Sequence, residues 1–250
     1  MRAMVLAAGL GTRLRPLTDD RPKALVEVAG RTMLDLTLAR LRGIGISEVI
    51  LNVHHFADKL VQYLQAHQNF GMRIEISREE RLLDTGGGLK KAAWFFLDQN
   101  EPFLVHNVDV LSSIDLRRVL EFHGERKALA TLAVQRRETS RYLLFDDQFQ
   151  LCGRRAGRDG EHELVRPCAS PHAFAFSGVH VISPRLLELI SEDGIFSVIA
   201  PYLRLSSAGE RIMAFQADGY YWRDLGRPDN LAQAARDLGE NASLREAYGA

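Results

Sequence analysis

Cysteine is scarce in this chain. Cys152 and Cys168 are the only two among 250 residues, which excludes a disulfide framework and a zinc site built from cysteines. Net charge is absent as well. The 32 basic and 32 acidic side chains cancel, so chain-wide attraction to nucleic acid is not expected, and any basic site has to be local. No apolar run approaches the roughly 20 residues that span a bilayer, and no membrane partner is expected. The first apolar stretch stops at Gly9 and runs directly into charged residues. That is not the pattern of a signal peptide, and a cytoplasmic protein is expected. Linkers, repeats and low-complexity tracts are missing, and no local motif suggests a nucleophile–His–acid arrangement. Two familiar phosphate signatures fail too. There is no Gly-Lys-Ser or Gly-Lys-Thr of a P-loop. The dinucleotide fingerprint meets Leu14 where its sixth-position glycine belongs, which argues against a nicotinamide-dependent oxidoreductase.

What is present is ordinary globular material, 46% hydrophobic and 26% charged, enough for one large α/β domain or two small ones. Strand-like runs at Ala3–Ala7, Glu48–Val53, Arg73–Ser77 and Pro102–Asn107 alternate with helix-period segments. These are Met33–Arg42, Ala57–His67, Gly88–Leu97 and Leu116–His123. Such alternation predicts a Rossmann-like α/β fold: a mixed, mostly parallel sheet with helices on both faces. The second half predicts strands at Leu129–Val134, Tyr142–Phe145, Phe149–Cys152 and Ala173–Ile182, with a small antiparallel inserted subregion over roughly residues 135–180. Helices follow at Pro184–Ile190 and Phe196–Leu205. Two further strands, Ile212–Gln216 and Tyr220–Trp222, flank the Asp218-Gly219 turn, and a last helix begins after Pro228. A single domain is expected. Residues 1–134 form its nucleotide-binding part, 135–230 its sugar-phosphate-binding part and 231–250 a C-terminal helix that packs at home or against a second copy of the chain.

Ligands of parallel sheets bind beyond the carboxyl ends of the strands. The first such end carries the densest signal, Ala8-Gly9-Leu10-Gly11-Thr12-Arg13-Leu14-Arg15-Pro16-Leu17-Thr18, followed by Arg21-Pro22-Lys23. Gly9 and Gly11 let backbone N–H groups approach an anion. Arg13, Arg15, Arg21 and Lys23 supply cations. Glycines with clustered cations suit a triphosphate, with the amides from Ala8 to Thr12 lining it.

Asp109 follows the strand Pro102–Asn107, and Asp224 sits in Trp222-Arg223-Asp224-Leu225-Gly226. Two carboxylates near phosphate suit Mg2+, which prefers one or two carboxylates plus waters and phosphate oxygens. Alternatives stand beside that reading. Asp109 could cap a turn near Ser112, Ser113 and Asp115, and Asp224 could pair with Arg223 or Arg227. Leu82–Gly88, with Thr85, Gly86 and Gly87, reads as a glycine-rich turn opening a helix, able to approach a base or simply flexible. Asn52 is a candidate nucleotide contact at a strand end, and His54 and His55 read as polar strand-end residues. Gly178 interrupts a strand, as a sugar contact or a bulge.

The first loop resembles the opening signature of the sugar-1-phosphate nucleotidylyltransferases. That resemblance extends from Met1 to about Leu231. It implies transfer of a nucleoside monophosphate from an NTP to a sugar 1-phosphate, giving an NDP-sugar and pyrophosphate with Mg2+ as cofactor. It implies Arg13 and Lys23 as catalytic cations and Asp109 and Asp224 as metal ligands. Asn52, Glu79 and the Thr85–Gly87 loop would meet the nucleotide, and Asn107, Arg166 and Gly178 the sugar phosphate. Two departures stand out. Val108 occupies a position where the family has glycine, and Val165-Arg166-Pro167 replaces its Glu-Lys-Pro. The pattern is most similar to N-acetylmuramate-1-phosphate uridylyltransferases, favouring UTP. GTP-dependent heptose or mannose 1-phosphate guanylyltransferases are the alternative, followed by cytidylyltransferases acting on phosphocholine and by a silent nucleotide-sugar sensor. Oligomer formation is left open.

Overall fold

A computed structural model describes residues 1–248. In chain order its strands begin with β1 (Arg2–Leu6), β2 (Glu27–Val28), β3 (Arg31–Thr32), β4 (Glu48–Val53), β5 (Arg73–Arg78), β6 (Phe103–Asn107) and β7 (Val110–Ser112). They continue with β8 (Ala130–Gln135), β9 (Arg141–Phe145), β10 (Leu151–Ala156), β11 (His162–Leu164), β12 (His172–Ile182), β13 (Ile212–Gln216) and β14 (Trp222–Asp224). The helices are α1 (Met33–Gly43), α2 (Ala57–Ala66), α3 (Asp84–Lys91), α4 (Leu116–Arg126), α5 (Arg185–Leu189), α6 (Ile199–Ser207), α7 (Pro228–Glu240) and α8 (Ala242–Tyr248). The class is α/β with mixed strand pairing. Among the described residues no helix is long and apolar enough to cross a membrane.

The chain forms two compact units. The first comprises Met1–Leu82, His106–Ile114 and the chain from Tyr220 onward. Here β1, β4 and β5 pair in parallel, in a register that sets Leu6 beside Asn52 and Asn52 beside Ser77. Parallel strands covered on both faces must be apolar throughout, and Ala3, Met4, Val5, Val49, Ile50 and Leu51 are fully buried. Helix α1 starts where Thr32 accepts a hydrogen bond from the Asp35 N–H at 3.1 Å, an N-cap. It then buries Leu34, Leu38 and Leu41. A short antiparallel ribbon joins β7 to β14, with Asp224 opposite Val110.

The second unit, Leu83–Val105 and Asp115–Gly219, is largely antiparallel. β12 pairs with β8 and β9, β10 with β9 and β11, and β13 lies parallel to β8. Three sequence-based expectations change here. Asp218-Gly219 does not close a hairpin: β13 joins β8, while β14 joins β7 in the first unit. The strand expected at Phe149–Cys152 starts at Leu151, because Asp146 closes the preceding turn by accepting from the N–H groups of Gln148 and Gln150, each at 2.9 Å. Residues 84–88 are helix rather than turn. The glycines there serve packing. A Cβ on Gly86 would lie 2.5 Å from the Phe196 ring, and one on Gly87 would lie 2.4 Å from the Gly194 carbonyl oxygen.

His123, on α4, is buried with both ring nitrogens occupied. Ser183 Oγ donates to the Ala128 carbonyl at 2.9 Å, so it accepts from His123 Nε2–H at 3.0 Å. Nδ1 then accepts from Thr131 Oγ1 at 3.0 Å. Burial pushes the imidazole down to about 4. The unfolded chain therefore takes up a proton near pH 6.5 that the folded chain refuses. This contribution is complete above pH 6.5 and is lost as pH falls toward 4, on the order of 3 kcal/mol in all. Urea unfolding between pH 7.5 and 4.5 should show it. His123→Gln should be less stable at neutral pH but should flatten the slope, and an unchanged slope in that variant would exclude His123 as its source.

Candidate active site

The loop after β1 is shaped by two glycines. Gly11 has φ +65°, which L side chains rarely adopt. A Cβ there would lie 2.9 Å from Thr18 Cγ2 and 3.0 Å from Lys23 Cβ. Its absence lets the loop close on the Lys23 stem. Thr18 Oγ1 donates to the Gly11 carbonyl at 2.9 Å, fixing the closure. The N–H groups of Gly9 and Gly11 make no hydrogen bond among the described residues. Ala8 is buried, Gly9 is exposed, and Thr12 opens a single 3-10 turn that carries Arg13.

The four loop cations separate into two kinds. Arg15 pairs with Asp19 at 3.4 Å and Arg21 with Asp20 at 2.9 Å, all on exposed side chains. Such pairs contribute little. Arg13 and Lys23 instead meet the two candidate metal carboxylates. Arg13 Nη2 lies 3.9 Å from Asp224 Oδ2. Lys23 Nζ contacts Asp109 Oδ2, and its side chain is 11% exposed.

The carboxylates themselves are held by the β7–β14 ribbon. The Leu225 N–H donates to the Asp109 carbonyl at 2.8 Å, so Asp109, directly before β7, and Asp224, the last residue of β14, stand at the same end of the ribbon. Two of the alternatives raised by the sequence, Asp115 and Arg223, are engaged elsewhere. Asp115, not Asp109, caps α4, accepting from the Arg117 and Arg118 N–H groups at 3.0 and 3.2 Å. Arg223 pairs with Asp237 at 3.0 Å rather than with Asp224. Asp224 Oδ1 accepts from the Gly226 N–H at 2.6 Å, and its carbonyl accepts from Asn230 Nδ2 at 2.6 Å.

Gly226, which sequence reasoning passed over, marks the centre of this cluster. A Cβ on it would lie 2.8 Å from Asp224 Oδ1, 2.9 Å from Arg13 Nη2 and 3.2 Å from Lys23 Nζ. Three charged groups from three chain segments therefore converge on the space a side chain would fill. Gly226→Ala is expected to lower turnover about 100-fold by displacing groups that must be placed to within an ångström, with little change in melting temperature. Near-normal turnover in a steady-state assay would show that the gap is incidental.

The donor set fits a hard divalent cation. Asp109 and Asp224 offer carboxylate oxygens and are 20% and 36% exposed, which leaves room for waters and phosphate oxygens, as Mg2+ prefers. Among the described residues no group of three or more His, Cys, Asp or Glu side chains forms an all-protein cage. Val108, where the sequence departs from the family's glycine, is buried without a positive φ. Its N–H donates to the Leu6 carbonyl at 3.1 Å, so this turn needs no glycine. Asn107 ends β6, and its carbonyl lies 2.8 Å from His106 Nδ1.

The remaining candidates are placed as follows. Asn52 and Glu79 are both buried and bonded to each other. Asn52 Nδ2 donates to Glu79 Oε1 at 2.7 Å, and Asn52 Oδ1 accepts the Ala7 N–H at 2.8 Å. The pair thus braces the start of the first loop. His54 Nδ1 lies 2.9 Å from the Glu79 carbonyl oxygen, a polar strand-end contact. In the second unit, the Gly86 and Gly87 N–H groups both point to the Phe196 carbonyl, at 2.9 and 3.2 Å. Their donors and Cα faces are taken up by packing within this unit. Thr85 Oγ1 accepts from the Val198 N–H at 3.0 Å. Arg166 pairs with Asp146 at 2.6 Å, so its charge is met within its own unit. Gly178, at φ +72°, lies where the β12–β8 register shifts, a bulge in the strand.

Two glycines shaping the loop after β1, the cations Arg13 and Lys23 and the carboxylates Asp109 and Asp224 gather within the first unit, a constellation suited to handling phosphate on an α/β scaffold. Residues 2–145 match the nucleotidyl transferase family. The chain is 35% identical over 246 residues to the N-acetylmuramate alpha-1-phosphate uridylyltransferase of Caulobacter vibrioides, covering 94% of this chain and 96% of that one. It is 29% identical over 239 residues to the mannose-1-phosphate guanyltransferase of Yarrowia lipolytica, covering 92% of this chain but 62% of the relative's length. The fold is shared with a putative glucose-1-phosphate thymidylyltransferase from Bacillus anthracis, at TM-score 0.77 and 18% identity over 98% of this chain and 99% of that one. The chain belongs to the nucleotidyl transferase family, and it is an enzyme of nucleotidyl transfer.

Proposed function

We propose that this enzyme transfers a nucleoside monophosphate from an NTP to a sugar 1-phosphate, releasing pyrophosphate, and that the pair it uses is UTP with N-acetylmuramate 1-phosphate. The observation that carries the reaction is the convergence of Arg13, Lys23 and Asp224 on the open face of Gly226, with Asp109 against Lys23. A sugar phosphate is already an anionic oxygen nucleophile near neutral pH, its second pKa being about 6 as for other phosphomonoesters. It needs little help from a general base. The barrier lies in bringing two polyanions together in line, so positioning and charge neutralisation dominate.

In this reading the amides from Ala8 to Thr12 cradle the triphosphate. Arg13 neutralises the β- and γ-phosphates and the departing pyrophosphate. Lys23 bridges the α-phosphate and the attacking sugar phosphate. Asp109 and Asp224 hold Mg2+, which when bound supplies Lewis-acid polarisation of the α-phosphate. Asn52 and Glu79 act from beneath the loop, through Ala7. Of the residues that the family resemblance implies for the sugar phosphate, Asn107 belongs to the first unit and Gly178 and Arg166 to the second, where Arg166 would exchange Asp146 for the ligand.

The UTP and N-acetylmuramate assignment rests on end-to-end similarity to the uridylyltransferase, of which the chain covers 96%. Similarity to guanyltransferases keeps GTP with mannose or heptose 1-phosphate as the second reading. Pyrophosphate release is to be measured with Mg2+, crossing UTP, GTP, CTP, ATP and dTTP with N-acetylmuramate, glucose, mannose and heptose 1-phosphates. Release confined to UTP with N-acetylmuramate 1-phosphate supports the assignment. Release with GTP selects the second reading, and nucleotide binding without release from any pair rejects the reaction in favour of a sensor or a non-sugar acceptor.

A further inference from the structure

Arg40 is buried at 4% exposure, yet no carboxylate pairs with it among the described residues. A buried cation is costly unless its donors are fully used. Arg40 uses them on the strand that follows Asp109. Nη1 donates to the Ser112 carbonyl and, at 2.8 Å, to Ser112 Oγ, while Nη2 donates to the Ile114 carbonyl. The final helix, α8, completes the clasp. Tyr248 Oη accepts the Ser112 N–H at 3.1 Å and lies 3.3 Å from Arg40 Nη1, and the Arg40 guanidinium lies 5.5 Å from the centre of the Tyr248 ring. Arg31 Nη1 donates to the Tyr248 carbonyl at 3.1 Å, tying the helix down.

Every one of these bonds to β7 falls at Ser112 or just beyond it. That strand begins directly after Asp109, and its partner ends on Asp224, with Trp222 opposite Ser112 and Asp224 opposite Val110. The two-stranded ribbon thus has Asp109 directly before one strand and Asp224 closing the other at one end, and is clasped by Arg40 and Tyr248 at the other end. Two-stranded ribbons are not stable alone, so the clasp sets where the carboxylates stand. We propose that Arg40 and Tyr248 are positioning residues for the divalent cation, fixing the separation of Asp109 and Asp224 from behind the ribbon. The inference rests on the reading that these aspartates hold the metal. Outer partners of metal ligands govern affinity by orienting them, and their loss costs about 10- to 100-fold.

The test uses Mn2+ as probe, paired in turn with UTP, GTP, CTP and ATP. Water-proton relaxation enhancement reports metal bound at the protein and needs no turnover. Tyr248→Phe keeps the ring and removes the acceptor. Arg40→Lys keeps the charge and loses the fork, so one variant survives if the other fails to fold. Each folded variant should need about 10-fold more Mn2+ for half of the full enhancement. Where turnover is measured, the Mg2+ requirement should rise while the KM for the sugar phosphate stays within about two-fold of the unmodified enzyme. A purely structural role would lower activity and melting temperature together without moving the metal requirement. Unchanged Mn2+ affinity in both variants overturns the positioning role and leaves the metal reading standing. No enhancement with the unmodified chain overturns the metal reading and this inference with it.

Discussion

Lys23→Met should reduce the single-turnover rate about 1,000-fold, the scale seen when one donor aimed at transition-state charge is removed. Its melting temperature should change by no more than about 4 °C, the shift expected for roughly 1 kcal/mol in a chain of this size. The asymmetry follows from where Lys23 sits. Its Nζ contacts Asp109 and lies 3.2 Å from the open face of Gly226, where Asp224 and Arg13 also arrive. Removing the ammonium leaves Asp109 without that partner, but its side chain is 20% exposed and water can solvate it. The fold therefore loses one partly hydrated pair. In the proposed mechanism the reaction loses the group that bridges two phosphates, whose mutual repulsion is the main obstacle. Methionine keeps the length of the stem, so the packing of Lys23 Cβ against Gly11 is retained. Arg13→Ala makes the useful comparison. Arg13 is 56% exposed and stands 3.9 Å from its carboxylate, so its loss should appear mainly as a raised KM for NTP. Circular dichroism and a melting curve would accompany the rate. If Lys23→Met turns over at the normal rate, the proposed mechanism is wrong. A loss of activity matched by a collapse in stability would make Lys23 structural instead.

Much of the scaffold around this lysine was legible in the sequence, because its elements are local. Consecutive apolar residues in β1 and β4 declare buried parallel strands. Gly9, Gly11 and the cations after them declare an anion loop within one turn of chain. What was not legible depends on contacts distant in sequence. The Gly-rich segment at 84–88 reads as a turn by composition, yet Phe196 and Gly194 fill the space left by its missing side chains and hold it in a helix. Asp218-Gly219 reads as a hairpin, yet β13 and β14 pair with different strands. Nothing local announces that Arg40 reaches Ser112, or that Tyr248 lies against both. Gly226 was visible as a letter of a motif but not as a gap, since its meaning lies in Arg13 and Lys23, distant in sequence, arriving beside the neighbouring Asp224. Asn52 reads as a ligand contact from its strand-end position, and Glu79 from the family resemblance. The structure shows them bonded to each other and to Ala7, supporting the loop from below.

Asp109→Asn and Asp224→Asn should each lower turnover about 100- to 1,000-fold, and the double variant should be scarcely worse than either alone. Groups that act as a unit are non-additive, because losing one already removes most of what the other provides. The ribbon makes them such a unit: Asp224 faces Val110, and the Leu225 N–H bonds the Asp109 carbonyl at 2.8 Å. Asparagine is nearly isosteric and preserves the local frame. The oxygen that accepts the Gly226 N–H has a counterpart in the amide, and the bond from Asn230 goes to the backbone carbonyl of residue 224. Only charge is lost, and with it the preference of a hard cation for an anionic oxygen. The Mg2+ concentration for half-maximal rate should therefore rise in both single variants. Lys23 sharpens the distinction. In the free protein its ammonium contacts Asp109, so a cation held by Asp109 would compete with it. Asp109→Asn weakens that competitor as well as the ligand, so its metal requirement should rise less than that of Asp224→Asn. Losses that simply multiply in the double variant would mean that the two aspartates have separate roles. An unchanged Mg2+ requirement in both single variants would remove them from the metal site altogether.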